Sequence, residues 1–312
     1  MSAEKRLSVR VVKKEQISAQ IIRYRLVDDN GGDLPAFDAG AHIELDIAPG
    51  MTRAYSLCSD PSCARQYYDI AVKLEPEGRG GSQTLQREAK EGSVYSISAP
   101  KNYFALEPIA SHHLLIGGGI GVTPLLAMAY ELHAKQQPFT LVVCTKAGAP
   151  MPFAAELVAS QWPVQHFSAG RDKLDFSSLL ADLPADLHAY CCGPDGLMAA
   201  VKASCNLSDA QWHQESFTPI ESAVSDHNLQ IYLSASDQRI EVAQGESMLD
   251  AVRGAGFEIE TVCEQGICGS CLVAWRDGSP KHNDQCLDDS ERQEYLALCC
   301  AQCDSATLTL EL

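Results

Sequence analysis

Three cysteines near the end of the chain have a spacing suited to iron–sulfur chemistry. Cys263, Cys268 and Cys271 follow the pattern C-x4-C-x2-C, which is the spacing that binds a plant-type [2Fe-2S] cluster. Three thiolates converge on one pair of iron ions only if the loop between them curls tightly, and Gly266 and Gly269 supply that freedom. A structural zinc site, the alternative, usually has paired C-x2-C knuckles or added histidines. The spacing therefore favours the iron–sulfur cluster.

The fourth ligand of such a cluster must come from further along the chain. The downstream candidates are Cys286, Cys299, Cys300 and Cys303. Cys299 ends the apolar run 295–298 and comes before the alternating strand predicted over 306–312, so packed structure would hold it in place. We predict Cys299 as the fourth ligand, with Cys300 as its nearest rival.

A glycine-rich loop in the middle of the chain indicates a nucleotide site. The segment 117–124 reads Gly-Gly-Gly-Ile-Gly-Val-Thr-Pro, after a strand predicted over 113–116 and before a helix predicted over 123–134. Glycines let a pyrophosphate approach the backbone, and a helix N-terminus offers free N–H groups. The turn Cys192-Gly193-Pro194 follows another predicted strand. Ligands bind at the carboxyl ends of such strands, although a tight structural turn at the glycine loop stays the alternative.

Two segments in the first third of the chain could hold a second anionic cofactor. The first is Arg53-Ala-Tyr55-Ser56 and the second is Gly78-Arg-Gly-Gly-Ser82. An arginine can pair with a phosphate, a tyrosine can lie along a planar ring, and a glycine segment can wrap an anion. The alternative is a surface arginine, a core tyrosine and an ordinary turn.

The pattern of elements predicts a multidomain protein. Short alternating segments over 1–105 predict an antiparallel β-barrel, and alternating strands, loops and helices over 106–220 predict an α/β domain with a parallel sheet. A polar segment over 221–228 reads as a linker. Over 229–312, a hairpin, one short helix and the cysteine loop predict a β-grasp ferredoxin domain.

Composition limits the classes of partner and the compartment. The chain has 312 residues, 46% of them hydrophobic, and 13 cysteines without an apolar leader at its start. These cysteines therefore read as reduced thiols and cluster ligands in a cytoplasmic protein, and no apolar run is long enough to span a membrane. A net charge of −17 argues against nucleic acid. Fifteen acidic against five basic residues from Leu229 onward give that region −10, which fits either a basic partner or a merely solvated face.

Taken together, these motifs resemble the phthalate dioxygenase reductase family, which includes vanillate demethylase reductases. The resemblance rests on the segment 53–56, the glycine loop at 117–121, the turn at 192–194 and the C-terminal cysteines, and it covers essentially the whole chain. It implies the domain order flavin, nicotinamide, ferredoxin, with FMN as the flavin. It also implies NADH as electron donor and a Rieske-type oxygenase component as acceptor.

The resemblance also implies a role for individual residues. Those expected to contact FMN or its phosphate are Arg53, Tyr55, Ser56, Ala71, Val72, Lys73, Gly80, Gly81 and Ser82. Those expected at the nicotinamide nucleotide are Gly118, Gly119, Thr123, Cys192 and Pro194, with Phe217 near the flavin. The cluster ligands expected are Cys263, Cys268, Cys271 and Cys299.

The expected activity is electron transfer from NADH through FMN and the [2Fe-2S] cluster to the oxygenase. No catalytic acid, base or nucleophile is needed, since the cofactors carry the redox chemistry. The chain shows no C-x-H Rieske pattern, so oxygen activation belongs to another protein. Two alternatives remain: a stand-alone NAD(P)H-dependent flavin or quinone reductase, and a ferredoxin-like carrier or redox sensor. The resemblance implies that the organic substrate binds to the oxygenase component and not to this chain.

Overall fold

A computed structural model describes most of the chain. It covers residues 6–168, 179–180, 183–205, 207–217, 223–261, 264, 266, 269–284 and 286–312. The chain divides into two compact units, Met1–Phe217 and Thr218–Leu312. The first unit contains a barrel and an α/β sheet, and the second contains a smaller sheet with one helix.

The first part of unit 1 is an antiparallel barrel of six strands. They are β1 (Leu7–Gln16), β2 (Ile21–Asp28), β3 (His42–Ala48), β4 (Met51–Ser56), β5 (Tyr68–Lys73) and β6 (Val94–Ile97). Their order is β4-β3-β6-β1-β2-β5. A bridge between Leu57, just after β4, and Ile70 of β5 joins the two outer strands, which nearly closes the barrel. Val9 and Val11 are buried while Arg10 is exposed, the alternation that a half-buried strand requires.

A short helix, α1 (Gly81–Glu88), covers one end of the barrel and was not predicted from the sequence. It buries Leu85 beneath it. The Lys14 ammonium from β1 donates hydrogen bonds to the carbonyls of Gln86 and Ala89, at 2.8 and 2.7 Å. A cation at the C-terminal end of a helix satisfies carbonyls that have no partner in the helix and opposes its dipole. This contact fixes the helix against β1.

The second part of unit 1 is a five-stranded parallel sheet with helices. Its strands are β7 (His113–Gly118), β8 (Phe139–Thr145), β9 (Val164–Ser168), β10 (His188–Cys192) and β11 (Trp212–Glu215), and its helices are α2 (Val122–Ala134), α3 (Ala154–Ala159) and α4 (Asp195–Ser204). The strand order β11-β10-β7-β8-β9 reverses direction between β7 and β10. Ligands of open α/β sheets bind at this reversal, beyond the carboxyl ends of the strands.

Unit 2 is a small mixed sheet packed on one helix. Its five-stranded sheet contains β12 (Leu229–Leu233), β13 (Gln238–Val242), β14 (Leu272–Asp277), β16 (Tyr295–Ala297) and β18 (Thr307–Leu310), and a separate pair consists of β15 (Pro280–Lys281) and β17 (Gln302–Cys303). Helix α5 (Met248–Gly254) is capped at its N-terminus by Ser247, whose hydroxyl accepts a hydrogen bond from the Asp250 N–H. The core between sheet and helix includes Ile231, Val252 and Leu296.

Three details differ from the sequence expectations. Strand β7 runs two residues further than predicted, to Gly118, because Gly117 and Gly118 still pair with β8. Residues 223–228, predicted as linker, are partly fixed to unit 2, since the Ser225 N–H donates to the Glu246 carbonyl. Helix α1 was missed because its segment is polar and glycine-rich. Among the described residues, no helix is both long and apolar enough to cross a membrane.

Candidate flavin, nucleotide and cluster sites

Arg53 and the start of α1 form a site suited to a phosphate. Arg53 and Tyr55 are two residues apart on β4 and therefore share one of its faces. The Arg53 guanidinium donates hydrogen bonds to the carbonyls of Thr52 and Arg79, at 2.7 and 3.2 Å. A Cβ atom at Gly81 would lie 3.0 Å from Arg53 Cγ, so the glycine is what allows the arginine to cross the first turn of α1. The positive side chain and the N–H groups of the helix start are thus close together.

The other residues predicted near the flavin have more limited chemistry. Ala71 and Val72 of β5 have buried side chains, so only their backbone is available to a ligand. The Lys73 ammonium pairs with the Glu75 carboxylate at 2.5 Å. The Ser82 hydroxyl accepts a hydrogen bond of 3.0 Å from the Glu75 N–H. Gly80, with φ of 82°, makes the left-handed turn that starts α1.

The end of the barrel strand β4 meets the end of two parallel strands of the α/β sheet. The Ser56 hydroxyl donates a 3.4 Å hydrogen bond to the Glu215 carboxyl at the end of β11. Glu215 in turn lies beside Cys192, its partner in the pairing of β10 and β11. Ser56, Cys192 and Glu215 are all buried. The structure therefore brings one residue predicted for the flavin next to one predicted for the nicotinamide.

Glu215 is a buried acid that sequence reasoning missed. Burial raises its pKa to about 8, and the hydrogen bond from Ser56 offsets only part of this effect. The carboxyl group is therefore mainly protonated at neutral pH. Burial, followed by the neighbouring Glu215, also raises the pKa of the Cys192 thiol well above its usual value. The signal in the sequence was an acidic residue two positions before the predicted site residue Phe217.

The glycine loop packs tightly on the turn after β10. A Cβ atom at Gly121 would lie 2.2 Å from the Cys192 carbonyl oxygen, and one at Gly118 would lie 2.8 Å from the Pro194 ring. Gly119 differs, because its φ is +59° and no atom lies within 4 Å of the position of its Cβ. Gly119 thus faces open space at the point where the strand order reverses. A nucleotide can approach the backbone there.

Three more predicted residues have defined places at this site. The Thr123 hydroxyl is buried and donates a hydrogen bond of 2.9 Å to the Ile120 carbonyl, so it stabilises the start of α2. Pro194 is exposed at the start of α4. The Ser216 hydroxyl donates to the Asp195 carboxylate at 2.9 Å. Phe217 packs against the core of unit 1, and the Ser216 contact holds the segment that leads to it.

The cluster loop in unit 2 is described in part. Cys263 and Cys268, two of the predicted ligands, lie outside the described residues. Cys271 and Cys299 are both buried, and their thiol groups lie within hydrogen-bonding range of each other. Their sulfurs therefore point to the same place, although they are far apart in sequence. The donor set fits a [2Fe-2S] cluster, because thiolates are the ligands of its iron ions.

Cys300 lies at the same loop as Cys299. The pKa of Cys299 is raised to about 12: the Cys271 thiol lowers it, but the Cys300 thiol and burial raise it more, and the Gly266 N–H lowers it. A Cβ atom at Gly266 would lie 2.7 Å from the Cys300 sulfur. Cys303 is further along, in β17, where its thiol contacts the Ser305 hydroxyl at 3.2 Å. The contacts of Cys299 with both Cys271 and the loop backbone favour it over Cys303.

All eleven cysteines within the described part of the chain are free thiols. The same residues contain no group of three or more histidine, cysteine or acidic side chains arranged to hold a metal ion. Two of the four predicted cluster ligands are not among them. Cys271 and Cys299, the two predicted ligands that are described, nevertheless lie together at the cluster loop.

Two family models match parts of this chain. The model described as "Oxidoreductase FAD-binding domain" matches residues 8–105, which correspond to the barrel. The model described as "2Fe-2S iron-sulfur cluster binding domain" matches residues 231–304, which correspond to unit 2. The cysteine loop and the barrel are thus found in the order expected from the sequence.

Full-length relatives decide the family. The vanillate O-demethylase oxidoreductase of Acinetobacter baylyi is 34% identical and covers 98% of this chain and 99% of its own. The solved structure of phthalate dioxygenase reductase, described as a modular structure for electron transfer from pyridine nucleotides to [2Fe-2S], is 33% identical with a TM-score of 0.73 and covers 98% of both chains. The chain belongs to the phthalate dioxygenase reductase family. It is an iron–sulfur flavoprotein oxidoreductase that transfers electrons.

A third similarity shows the same reductase architecture within a larger protein. An intact type IV self-sufficient cytochrome P450 monooxygenase matches 98% of this reductase but only 41% of its own chain, at 30% identity and a TM-score of 0.85. The reductase architecture therefore also occurs joined to a haem protein.

Proposed function

We propose that this reductase takes electrons from NADH, holds FMN in its barrel, and delivers single electrons through a [2Fe-2S] cluster to a Rieske-type oxygenase component. The observation that carries the proposal is the contact of Ser56 with Glu215 beside Cys192. It joins the residues predicted for the flavin to those predicted for the nicotinamide within unit 1. When bound, the flavin accepts two electrons together and releases them one at a time.

The phosphate of FMN is assigned to Arg53 and the start of α1. Arg53 supplies the positive charge, and the helix start at Gly81 and Ser82 supplies N–H donors. The family resemblance favours FMN, since a C-terminal ferredoxin domain accompanies FMN in these reductases. The backbone of Ala71, Val72 and Lys73 and the ring of Tyr55 are assigned to the flavin ring.

The nicotinamide nucleotide is assigned to the end of the sheet where the strand order reverses. Gly118 and Gly119 allow the pyrophosphate to approach α2, whose dipole favours negative charge. Cys192 and Pro194 line the neighbouring turn. The protonated Glu215 holds the Ser56 hydroxyl and keeps this buried region uncharged. Phe217, the last residue of unit 1, is assigned to a position near the flavin.

The cluster is assigned to Cys263, Cys268, Cys271 and Cys299. The contact between the Cys271 and Cys299 thiols supports this set. We also propose the boundaries given by the sequence, with a flavin domain over 1–105, a nucleotide domain over 106–220, a linker over 221–228 and a ferredoxin domain over 229–312. The free thiols and the family favour a cytoplasmic enzyme.

The acceptor is the part of the proposal with a second candidate. A Rieske-type oxygenase follows from the family resemblance. A haem oxygenase is the second candidate, because the same reductase architecture occurs in a self-sufficient cytochrome P450 monooxygenase. Purified oxygenase components of both kinds, mixed separately with the reductase and NADH, distinguish them by which one is reduced.

The proposed function is tested by anaerobic reduction of the purified holoprotein. We expect one flavin per chain, identified as FMN by chromatography after release, and visible absorbance from both flavin and cluster. NADH should bleach both, and NADPH should do so at least about tenfold more slowly at equal concentration. Release of FAD would overturn the assignment of FMN, and a cluster that NADH leaves oxidised would overturn the electron-transfer sequence.

The same holoprotein separates the two alternative functions. A stand-alone flavin or quinone reductase, whose cluster is the outlet to small acceptors, would oxidise NADH with quinones at full rate without an oxygenase component and would slow in a Cys299→Ser variant. A carrier or sensor would bind no flavin at all. The matched control is Cys303→Ser, which we expect to behave like the wild type in every assay.

A further inference from the structure

The outer face of the sheet in unit 2 carries exposed apolar side chains immediately next to the cluster loop. Leu272 is 36% exposed and follows Cys271 directly in sequence. Tyr295 is 41% exposed on the edge strand β16. In the pairing of β14 with β16, Leu272 is opposite Ala297, and Ala274 is opposite Tyr295. We call Leu272, Ala274 and Tyr295 the exit patch.

The two faces of this sheet differ in a way that makes the exit patch unusual. Val273 and Leu296 point to the opposite face and are buried in the core with α5. Elsewhere the outer face carries polar side chains, such as Gln230 and Glu241, which form a hydrogen bond of 2.7 Å. On the described strands of this sheet, Leu272 and Tyr295 are the exposed large apolar side chains. Exposed apolar residues grouped within a polar surface indicate an interaction site.

Acidic residues precede one strand of the exit patch in sequence and contact the other strand. The turn before β16 carries Asp288, Asp289, Glu291 and Glu294, with one arginine among them, Arg292. On the other side, Glu311 pairs with Arg276 at 2.6 Å, and its N–H donates to the Ala274 carbonyl. The hydrogen bond to Glu311 raises the pKa of Arg276, and the nearby Glu294 adds to this effect. We call Asp288, Asp289, Glu291, Glu294 and Glu311 the acidic rim.

The charge of the whole region fits this local picture. From Leu229 onward, fifteen acidic and five basic residues give −10 of the total −17, in little more than a quarter of the chain. Such a surface attracts a partner of opposite sign and orients it during the encounter. A partner that binds at the exit patch therefore needs an apolar centre surrounded by lysine or arginine.

We propose that the exit patch and its acidic rim are the docking surface for the protein that accepts electrons from the cluster. The proposal rests on the proposed function, because it assumes that electrons reach the cluster from NADH. Leu272 is adjacent in sequence to the proposed ligand Cys271, so a partner bound there lies close to the cluster. One electron leaves the reduced cluster and reduces one ferric ion of the acceptor, and no bond is made or broken.

Cytochrome c serves as the test partner, since it is a basic protein with an apolar surface around an exposed haem edge. The variant L272Q/Y295Q removes the apolar centre, and D289N/E294Q removes part of the rim. We expect kcat/KM for cytochrome c to fall about tenfold in L272Q/Y295Q. In D289N/E294Q we expect the rate to fall at low salt and to depend less on ionic strength. Val158→Gln, at a residue 76% exposed on α3, is the matched control.

Two further measurements distinguish a loss of docking from damage to the flavin or the cluster. Ferricyanide reduction and the rate at which NADH bleaches the cluster should equal the wild type in all these variants. Y295Q alone repeats the test at a residue not adjacent to a proposed ligand, in case L272Q loses the cluster. An unchanged kcat/KM for cytochrome c in both Y295Q and L272Q/Y295Q overturns the docking surface.

The remaining outcomes also separate the two proposals. Slower bleaching of the cluster by NADH in Y295Q would assign the exit patch to electron entry from the flavin of the same chain, and would overturn its role in docking. If NADH does not reduce the cluster of the wild type, the proposed function fails, and the docking surface fails with it.

Discussion

At the scale of single residues, the chain specifies chemistry mostly through contacts between distant positions. The spacing of Cys263, Cys268 and Cys271 predicts a cluster without any structure. The fourth cluster ligand cannot be chosen in this way, because Cys299 and Cys300 are adjacent and share the same sequence context. Only the fold shows that the Cys299 thiol lies near that of Cys271.

Substitution of the two adjacent cysteines tests the assignment of the fourth ligand. We expect Cys299→Ser to abolish the visible absorbance and electron paramagnetic resonance signal of a [2Fe-2S] cluster, because a hydroxyl is a poor replacement for a thiolate. Cys300→Ser should retain both signals, with at most a modest loss of stability. The reverse result, a cluster kept in Cys299→Ser and lost in Cys300→Ser, would show that Cys300 is the ligand.

Glu215 gives the reductase a specific pH dependence. Its pKa of about 8 lies above its ordinary value of 4.5, so folded unit 1 binds one proton more than the unfolded chain between these values. The contribution of Glu215 to the free energy of unfolding is fully present below pH 4.5. It is lost as the pH rises to about 8. We expect the loss between pH 5 and pH 8 to be on the order of 3 kcal/mol.

The Glu215→Gln variant should lack this pH dependence, since an amide does not titrate. The measurement is urea denaturation at several pH values, followed by tryptophan fluorescence. Glu88→Gln, at an exposed position on α1, is the control and should keep the slope of the wild type. If Glu215→Gln shows that slope as well, the raised pKa belongs to another group.

At the scale of elements, the alternation of strand and helix was predicted well, and the exceptions have physical causes. The strands over 113–118, 139–145 and 188–192 were recognisable because each is a buried apolar run. Helix α1 was not, because it has one fully buried leucine and otherwise polar residues. Its stability comes from contacts with the barrel, including the Lys14 ammonium, and not from its own pattern.

The glycine loop before α2 allows a prediction about two neighbouring glycines. Gly121→Ala places a methyl group against the Cys192 carbonyl, which should cost about 1–3 kcal/mol of stability. Gly119→Ala meets no atom of the protein, so its cost should be near the roughly 1 kcal/mol of its left-handed backbone. Its methyl group instead enters the space assigned to the nucleotide.

We therefore expect Gly119→Ala to raise KM for NADH about tenfold and to lower the melting temperature less than Gly121→Ala does. Steady-state reduction of ferricyanide and thermal denaturation measure the two effects. An unchanged KM in a folded Gly119→Ala variant would place the nucleotide elsewhere.

At the scale of the whole molecule, the two units have separate hydrophobic cores. The core of unit 2 and the residues packed against it lie between Leu229 and Leu312, and those of unit 1 end at Phe217. We infer from the separate cores that each unit folds by itself. The acidic charge is concentrated in unit 2, where the cluster and the exit patch lie.

We expect residues 1–217, expressed alone, to fold, bind flavin and reduce ferricyanide with NADH at a rate within about twofold of the full chain. Reduction of cytochrome c should fall to background, since the cluster is absent. Addition of separately expressed residues 218–312 should restore part of it in a concentration-dependent manner. A fragment 1–217 that reduces cytochrome c as fast as the full chain would show that electrons leave from the flavin.

By itself, the sequence determined the order of domains, the class of each fold and the presence of an iron–sulfur loop. These features depend on the spacing and periodicity of residues that are close together in the sequence. The tertiary structure alone decided that Glu215 is buried and protonated beside Ser56 and Cys192, that Cys299 meets Cys271, and that Leu272 and Tyr295 share an exposed face. Each of these depends on residues brought together from different elements, and their burial and charge follow from that packing and not from their neighbours in sequence.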